Sequence, residues 1–547
     1  MRGLMMDQPL LITSLIRYAA QYHGGTEIVT RTVEGQIHRY TYKDAYVRTQ
    51  QLAHALTALG VGNADRVATL AWNGHRHLEL YYAISGIGAV CHTVNPRLFP
   101  TQVEYILNHA EDRIVFVDLT FVPLLESLAP KLKHAKTFVI MTDAAHLPKT
   151  SLPNVLCYED LIAGKPTSFG WPTFDEWSAS SLCYTSGTTG NPKGVLYSHR
   201  STVLHSFSIN TADALAMTAR DAVMPVVPLF HVNGWGIPYG AVMAGSKFVF
   251  PGAGLDPVNL YDLIEREQVT MAAGVPTVWL KMCEHLAQTG QRFTSLRRIL
   301  CGGSAMPEAL IATLEEKYGV EICHAWGMTE LSPVGTSGRL KTAQLKLPQA
   351  ERLRYKTSQG RPLYGVDCKI INAEGKELPH DGKTLGELCV RGSWVTSGYY
   401  SDEAANKAAF DADGWFRTGD VVSIDPDGYI RIVDRTKDLI KSGGEWISSI
   451  DLENAAVGHP EILEAAAIAV PHPTWQERPL LVVIRKPESK LTRDGLLDFL
   501  RDKIAKWALP DDVVFVTELP HTATGKLLKS ALRDQYKGHA AKAKATA

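Results

Sequence analysis

From about residue 66 to 143, short β-rich runs alternate with segments of helical period. RVATLAW (66–72), RIVFVD (113–118) and TFVIMTD (137–143) are the strand-like runs, and HLELYYAISGIGA (77–89) and TQVEYILNHAE (101–111) are helical patterns between them. Strands joined by helices must run parallel, because the crossover returns the chain to the same end of the sheet. The alternation therefore predicts an α/β fold, with parallel sheets covered by helices. The same grammar recurs at SSLCYT, which ends at Thr185 and feeds a glycine-rich stretch, and at RRILCGG (297–303). There Met306-Pro307 is expected to start a helix, with proline in its first turn. At 547 residues the chain exceeds one hydrophobic core, so several domains or subdomains are expected. No fixed-period repeat and no long Pro/Ser-rich linker divides it. The candidate boundary is the charged, turn-rich DRTKD (434–438), followed by patterns such as LENAAVG, EAAAIAV, RPLLVVIR and LLDFLRDKIAKW. These suffice for a small α+β domain.

Composition mainly excludes. A net charge of -1 with 21% charged residues gives no electrostatic case for nucleic acid or an anionic membrane. The eight cysteines are scattered without a C-x-x-C pair, which disfavours a disulfide framework or zinc site and fits reduced thiols in a cytoplasm. MRGLMMDQPLLITSLIRYAA reads as an amphipathic first helix rather than a signal peptide. The most apolar tract, AVMPVVPLFHVNGWGIPYGAVMAG (222–245), is interrupted by Pro225, Pro228, His231, Asn233 and Pro238. It is expected to wall a pocket rather than span a bilayer. KGHAAKAKATA reads as a frayed tail without a peroxisomal address. SGIGAV (85–90) lacks the third glycine and acidic partner of a dinucleotide site.

The stretch YTSGTTGNPKG (184–194) is the strongest chemical signal. It fails the Walker pattern twice: counting from Gly187, Pro192 stands at the second glycine position and Gly194 at the Ser/Thr position. What remains is still suited to phosphate. Glycines let backbone N–H groups approach anionic oxygens, hydroxyls add neutral donors, and Lys193 adds positive charge. The loop could hold a triphosphate tail that later leaves as pyrophosphate.

With six further stretches in order, the chain resembles the AMP-forming acyl-CoA synthetases and their adenylate-forming relatives. These are PLFHVNGWG (228–236), GGSAMP (302–307), WGMTE (326–330), GWFRTGD (414–420), DRTKDLIKSGGEWIS (434–448) and TATGKLLK (522–529). The resemblance spans nearly the whole chain. It implies ATP, Mg²⁺ and coenzyme A as the cofactor and co-substrates. It also implies an N-terminal adenylation domain over 1–434, a hinge at 435–437 and a small mobile C-terminal lid domain over 438–547. Thr185, Ser186, Gly187, Thr188, Thr189, Gly190 and Lys193 would cradle phosphates. Thr329 and Glu330 are expected to end a strand-like run; Thr329 would contact the α-phosphate, and Glu330 would bind the metal with help from Thr185, since oxygen ligands suit Mg²⁺. Gly303, Trp326 and Gly327 would border the adenine. Asp420 would accept from both ribose hydroxyls, with Arg435 near ribose and phosphate. Lys526 would touch the attacking carboxylate and the α-phosphate together, offsetting the repulsion between two anions.

A thiol must then reach the same acyl carbon, and a swinging lid separates the two demands. By the resemblance Lys437 is the hinge residue. Lys441, Gly443, Gly444, Glu445 and Trp446 belong to the second face, where paired glycines admit close approach along a pantetheine path. His231 stands where amino-acid-activating relatives carry an Asp, so an ammonium-bearing substrate is disfavoured. No carrier domain follows in this sequence, and free coenzyme A is the expected acceptor. The acyl pocket would be lined by His231, Gly302 and Pro333, with Trp235 plugging or gating it. Within the family the resemblance is greatest to bacterial fatty-acyl and 3-methylmercaptopropionate ligases, through DLIKSGGEWISS and HPTWQERPL. The expected substrate is a short- to medium-chain acid, with 3-methylmercaptopropionate leading and medium- or long-chain fatty acids as the alternative. A luciferase-like adenylating monooxygenase and a non-catalytic nucleotide-binding paralogue are the rivals from other classes. Relatives are often homodimers, and a cytoplasmic homodimer is expected.

Overall fold

The computed structural model describes residues 1, 3–185, 191–443, 445–521 and 527–539, and for Glu445 the backbone only. It divides into two compact units. The larger comprises Met1–Thr185, Pro192–Asp367 and Arg391–Phe410; the smaller takes Cys368–Val390 and the chain from Asp411 onward. The smaller unit thus begins ahead of the expected hinge at 435–437.

The larger unit holds two seven-stranded sheets. In the first the strands stand in the order Val155–Cys157, Thr137–Ile140, Ile114–Val117, Arg66–Leu70, Val90–Thr93, Ala179–Tyr184 and Gly194–Ser198. All neighbours are parallel except the last pair, an antiparallel hairpin. The second runs Glu321–His324, Arg298–Cys301, Met271–Gly274, Ala222–Pro225, Lys247–Phe250, Glu27–Arg31 and Ile37–Thr41. It too is parallel until a closing antiparallel hairpin. Ile114–Val117 and Met271–Gly274 are buried at every residue, as strands covered on both faces must be. Helices start where local chemistry allows. Thr41 accepts from Asp44 N–H to cap Tyr42–Ala58, and Asp256 accepts from Asn259 N–H ahead of Pro257–Arg266.

Three local expectations shift. The N-terminal helix is confined to Thr13–Tyr22. Pro307 is the cap before Glu308–Ala312 rather than a residue of its first turn, because its ψ of 136° is extended. Thr329 and Glu330 do not end a strand; the strand stops at His324 and they sit in the 3₁₀ turn Thr329–Leu331. The apolar tract folds as strand Ala222–Pro225, a tight turn and helix Ile237–Ala244. Among the described residues no helix is long and apolar enough to cross a membrane.

The smaller unit carries a four-stranded sheet, Val366–Ile371, Gly386–Gly392, Phe416–Ile424 and Ile430–Arg435 in that order. A five-stranded sheet follows, with Gln476–Arg485 between Ile462–His472 and Asp512–Val516. Period-two alternation decides its faces. Ala465, Ala467, Leu481 and Val483 pack with Leu452, Leu496 and Leu500 of helices Ser449–Val457 and Arg493–Arg501. Ala466, Ile468, Leu480 and Val482 pack with Leu532 of helix Lys529–Gln535. Lys529 Nζ ties that last helix to Glu453 at 2.7 Å, and burial pushes the Glu453 carboxyl up to about 7.

Candidate functional site

In the larger unit the glycine-rich stretch is closed at its neck. Thr185 N–H donates to the Lys193 carbonyl at 2.9 Å, and Lys193 N–H donates back to Thr185 Oγ1 at 3.0 Å. The hairpin strands Ala179–Tyr184 and Gly194–Ser198 pair Tyr184 with Gly194, which fixes both ends of the stretch. Ser186, Gly187, Thr188, Thr189 and Gly190 lie outside the described residues. Lys193 leaves the neck with its Nζ 4.7 Å from the centroid of the Tyr399 ring.

Thr329 and Glu330 are both buried. Tyr197, on the hairpin's second strand, donates its hydroxyl to the Thr329 carbonyl, and Thr396 N–H donates to the Glu330 carbonyl at 2.7 Å. The Tyr399 hydroxyl donates to Glu330 Oε1 at 2.7 Å. Thr185, Lys193, Thr329 and Glu330 are thus joined by residues of neighbouring segments. Gly327 is constrained too: a Cβ there would lie 2.2 Å from the Pro333 carbonyl oxygen. Met328 N–H donates to that same oxygen at 3.1 Å, and Trp326 N–H donates to Thr336 Oγ1 at 3.0 Å. Trp326, Gly327 and Pro333 therefore form one tight turn after the strand end.

The tract carrying His231 and Trp235 is the least ordinary backbone in the unit. Val232, Asn233, Gly234, Trp235 and Gly236 have φ of 45°, 38°, 55°, 59° and 74°, five consecutive left-handed residues. Each non-glycine residue held there costs about 1–3 kcal/mol and persists only when its surroundings enforce it. Asn233 supplies that enforcement. Its Nδ2 donates to Ser181 Oγ at 2.6 Å, and its Oδ1 accepts from Thr93 Oγ1 and Cys183 Sγ, each at 3.0 Å. Burial pushes the Cys183 thiol up to about 11, so it remains a neutral donor. The turn delivers Trp235 onto the Gly302–Gly303 corner. A Cβ on Gly302 would be 3.5 Å from its Cη2, and one on Gly303, at φ +85°, would be 3.8 Å from its Cζ2. Trp235, Gly302 and Gly303 are brought together, and His231 sits half-buried at the head of the turn.

In the smaller unit Asp420 and Arg435 are cross-strand partners, with Arg435 Nε 2.7 Å from Asp420 Oδ1. The Asp420 side chain is almost wholly buried, whereas Arg435 is partly exposed. Lys437 is exposed. Lys441 and Trp446 face each other across the short hairpin of Ile440–Ser442 and Glu445–Ile447. Gly443 has φ +59°, and a Cβ there would lie 2.4 Å from the Trp475 ring. Gly444, Lys526 and the Glu445 side chain lie outside the described residues.

The Thr185 hydroxyl and the Glu330 carboxylate, the pair expected to hold Mg²⁺, are oxygen donors of the kind a divalent cation would take. Mg²⁺ is commonly held by one or two carboxylates, substrate phosphates and water rather than an all-protein cage, and hard oxygen donors fit it. Among the described residues no cluster of three or more His, Cys, Asp or Glu forms such a cage. Sequence reasoning missed Asn233, Tyr197, Thr396 and Tyr399. Asn233 lay inside a quoted motif without a distinguishing signal; Tyr399 belongs to Gly398-Tyr399-Tyr400, which no local pattern sets apart.

A glycine- and hydroxyl-rich sequence closed at its neck, a buried carboxylate turn tied to that neck and a second compact unit agree with an adenylate-forming ligase. Residues 16–400 match the family of AMP-binding enzymes and residues 451–526 match the AMP-binding enzyme C-terminal domain, so the chain belongs to that family. It is an AMP-forming acyl-CoA synthetase, acting through an acyl-adenylate. Among curated relatives it is similar to the 3-methylmercaptopropionyl-CoA ligase of Ruegeria lacuscaerulensis, 52% identical with 98% of this chain and 99% of that one covered. It is also similar to the medium-chain-fatty-acid–CoA ligase of Ectopseudomonas oleovorans, 49% identical with 98% of each chain covered. Of solved structures, an anthranilate CoA ligase with anthranoyl-AMP matches at TM-score 0.85 and 26% identity over 97% of this chain and 98% of that one. ATP-bound MatB from Rhodopseudomonas palustris matches at 0.80 and 26% over 96% and 99%.

Proposed function

We propose that this ligase joins a short- to medium-chain carboxylic acid to coenzyme A, with 3-methylmercaptopropionate the leading acid. The supporting observation is the 52% identity to a 3-methylmercaptopropionyl-CoA ligase across nearly the full length of both chains. Trp235 over the Gly302–Gly303 corner agrees with a pocket whose depth is limited by an indole. A thioether fills the place of a methylene, so this acid and a short fatty acid are near isosteres. Each buried methylene is worth about 0.8 kcal/mol, roughly fourfold in affinity, and the preference should be graded rather than absolute. The 49% identical medium-chain relative makes a medium-chain fatty acid the second reading.

In this proposal Thr185, Lys193 and the intervening loop hold the triphosphate, Thr329 meets the α-phosphate, and Trp326, Gly327 and Gly303 border the base. Asp420, oriented by Arg435, takes the ribose hydroxyls. Glu330 and Thr185 would hold Mg²⁺, which when bound neutralises phosphate charge. His231, Trp235, Gly302 and Pro333 line the acid site. Lys526 bridges the incoming carboxylate and the α-phosphate. A hinge at 435–437 then exchanges Lys526 for the face from Lys441 to Trp446, along which coenzyme A enters. The two matched family segments leave 401–450 between them, and the hinge falls in that interval.

Acids from acetate to palmitate, plus 3-methylmercaptopropionate, should be compared by kcat/KM for AMP formed with ATP, Mg²⁺ and coenzyme A. The maximum is expected at 3-methylmercaptopropionate or its fatty-acid isostere. A maximum at palmitate, or ADP as product, overturns the proposal. Lys526→Ala should slow pyrophosphate release about 10²–10³-fold while sparing thioester formation from supplied acyl-adenylate.

A further inference from the structure

We propose that Tyr399 is a positioning residue of the adenylation step, one side chain that sets the loop cation Lys193 against the carboxylate Glu330. This rests on the reading of Glu330 as the magnesium-facing group and Lys193 as a phosphate cation. Two functional parts of one phenol are engaged at once. The hydroxyl donates to Glu330 Oε1 at 2.7 Å, and the ring face carries the Lys193 ammonium at 4.7 Å. The hydroxyl fixes the carboxylate's rotation, and the quadrupole of the ring attracts the cation without neutralising it.

The backbone around Tyr399 makes this arrangement specific. Its N–H donates to Asn406 Oδ1 at 2.6 Å, and Asn406 Nδ2 donates to its carbonyl at 3.2 Å. One residue later, Tyr400 N–H donates to the Gly194 carbonyl at 2.8 Å, beside Lys193. Three residues earlier, Thr396 N–H donates to the Glu330 carbonyl at 2.7 Å. Further back, Trp394 accepts from Ser332 Oγ at 2.9 Å through its carbonyl and donates from Nε1 to the Val334 carbonyl at 3.3 Å. Residues 394–400 are therefore a strap fastened by main chain to both elements that Tyr399 joins by side chain. A tyrosine present only to fill space would need neither the hydroxyl contact nor fastening on both sides.

The chemistry divides the two contacts. A carboxylate whose outer partner is removed loses orientation, and such losses typically weaken metal binding by about 10–100-fold. A displaced ammonium weakens the hold on phosphate whether or not metal is present. Tyr399→Phe keeps the ring and deletes only the hydroxyl; Tyr399→Leu deletes both.

The test uses the full-length enzyme. ATP binding is measured by calorimetry with and without Mg²⁺, alongside Mg²⁺ titration of acid-dependent pyrophosphate exchange. Tyr399→Phe should raise the half-saturating Mg²⁺ about 10-fold and leave metal-free ATP binding unchanged. Tyr399→Leu should weaken metal-free ATP binding as well. Neither should slow thioester formation from supplied acyl-adenylate. In a Glu330→Gln background, Tyr399→Phe should have no further effect on the Mg²⁺ titration. If Glu330→Gln shifts that titration and Tyr399→Phe does not, Tyr399 has no positioning role and the assignment of Glu330 stands. If Glu330→Gln itself shifts nothing, the underlying assignment of Glu330 falls. Equal loss in both half-reactions by Tyr399→Phe would mark a purely structural residue and overturn the proposal.

Discussion

Both seven-stranded sheets of the larger unit end in an antiparallel hairpin, one within 27–41 and the other within 179–198, and the two hairpins close differently. The first turns through Thr32–Gln36, held by Thr32 N–H on the Gln36 carbonyl at 2.8 Å, with Gly35 at φ +96°. Its acidic residue, Glu34, is answered within the fold: Oε1 accepts from Arg76 and from Thr142, each at 2.8 Å. Burial pushes the Glu34 carboxyl up, but Arg76 and Thr142 outweigh that and hold it below its ordinary value. Among the described residues the second hairpin is pinned at its neck, by Thr185 and Lys193, and its cation lies over a tyrosine ring. The comparison teaches that sheet grammar alone does not locate chemistry. Between these two hairpins, the charge matched by a fixed opposite charge is the structural one, and the charge laid over a neutral ring is the one offered to a substrate.

Substitutions at the two hairpins should therefore produce opposite signatures. The largest effect is expected for Arg76→Met. Arg76 lies 2.8 Å from both Glu34 and Glu159; its removal leaves the buried Glu34 carboxylate with Thr142 and no cation, while Glu159 keeps Arg48 at 3.0 Å. Breaking such a pair costs about 3–5 kcal/mol, read as a lowered urea midpoint, while kcat/KM below the transition should stay near wild type. An unmoved midpoint with a collapsed rate would erase the distinction between the hairpins. Glu330→Gln should behave in reverse. Pyrophosphate exchange is expected to fall about 10²-fold, close to 2.7 kcal/mol of transition-state stabilisation, with the urea midpoint within about 1 kcal/mol of wild type.

The alternation at 66–143 predicted these strands to within three residues at their ends, because period-two and period-3.6 patterns are local and parallel strands buried on both faces read as apolar runs. The loop, the carboxylate turn and the Asp420 and Arg435 segments were legible as motifs. Their partners were not. Tyr399 meets Glu330 across 69 positions of chain, and Asn233 meets Ser181 across 52. Such contacts are set by tertiary packing, and nothing in the flanking residues encodes them. The left-handed run at 232–236 was hidden for a related reason: Val232 and Trp235 have no local preference for φ > 0, and the three bonds that anchor Asn233 between them are long-range. DRTKD drew the eye as a boundary because it is charged, yet Asp434 is buried there and accepts from Ser449 N–H at 2.7 Å.

The smallest expected effect concerns two buried histidines, one held against a core strand and one beside the carboxylate turn. His77 belongs to the first sheet's surroundings, with Nε2 2.9 Å from Thr69 Oγ1, while His205 Nε2 accepts from Val334 N–H at 3.1 Å, beside the carboxylate turn. Burial pushes His77 down to about 4 and His205 down to about 3. An unfolded histidine titrates near 6.5, so below that pH the unfolded chain takes up a proton that the native one refuses. Stability is therefore lost as pH falls from about 6.5 toward the native values, by about 1.4 kcal/mol per unit for each residue. Denaturation midpoints from pH 7.5 to 5 should show this decline, and His205→Asn should remove one residue's share of the slope. Protonating Nε2 would remove the acceptor for Val334 N–H, but the buried imidazole refuses that proton down to about pH 3, so His205 should not slow adenylation by the folded enzyme between pH 7.5 and 5 while the denaturation midpoint falls. Identical pH slopes in the two proteins would mean that His205 is already protonated in the native state, and that the turn is held by something other than a neutral imidazole.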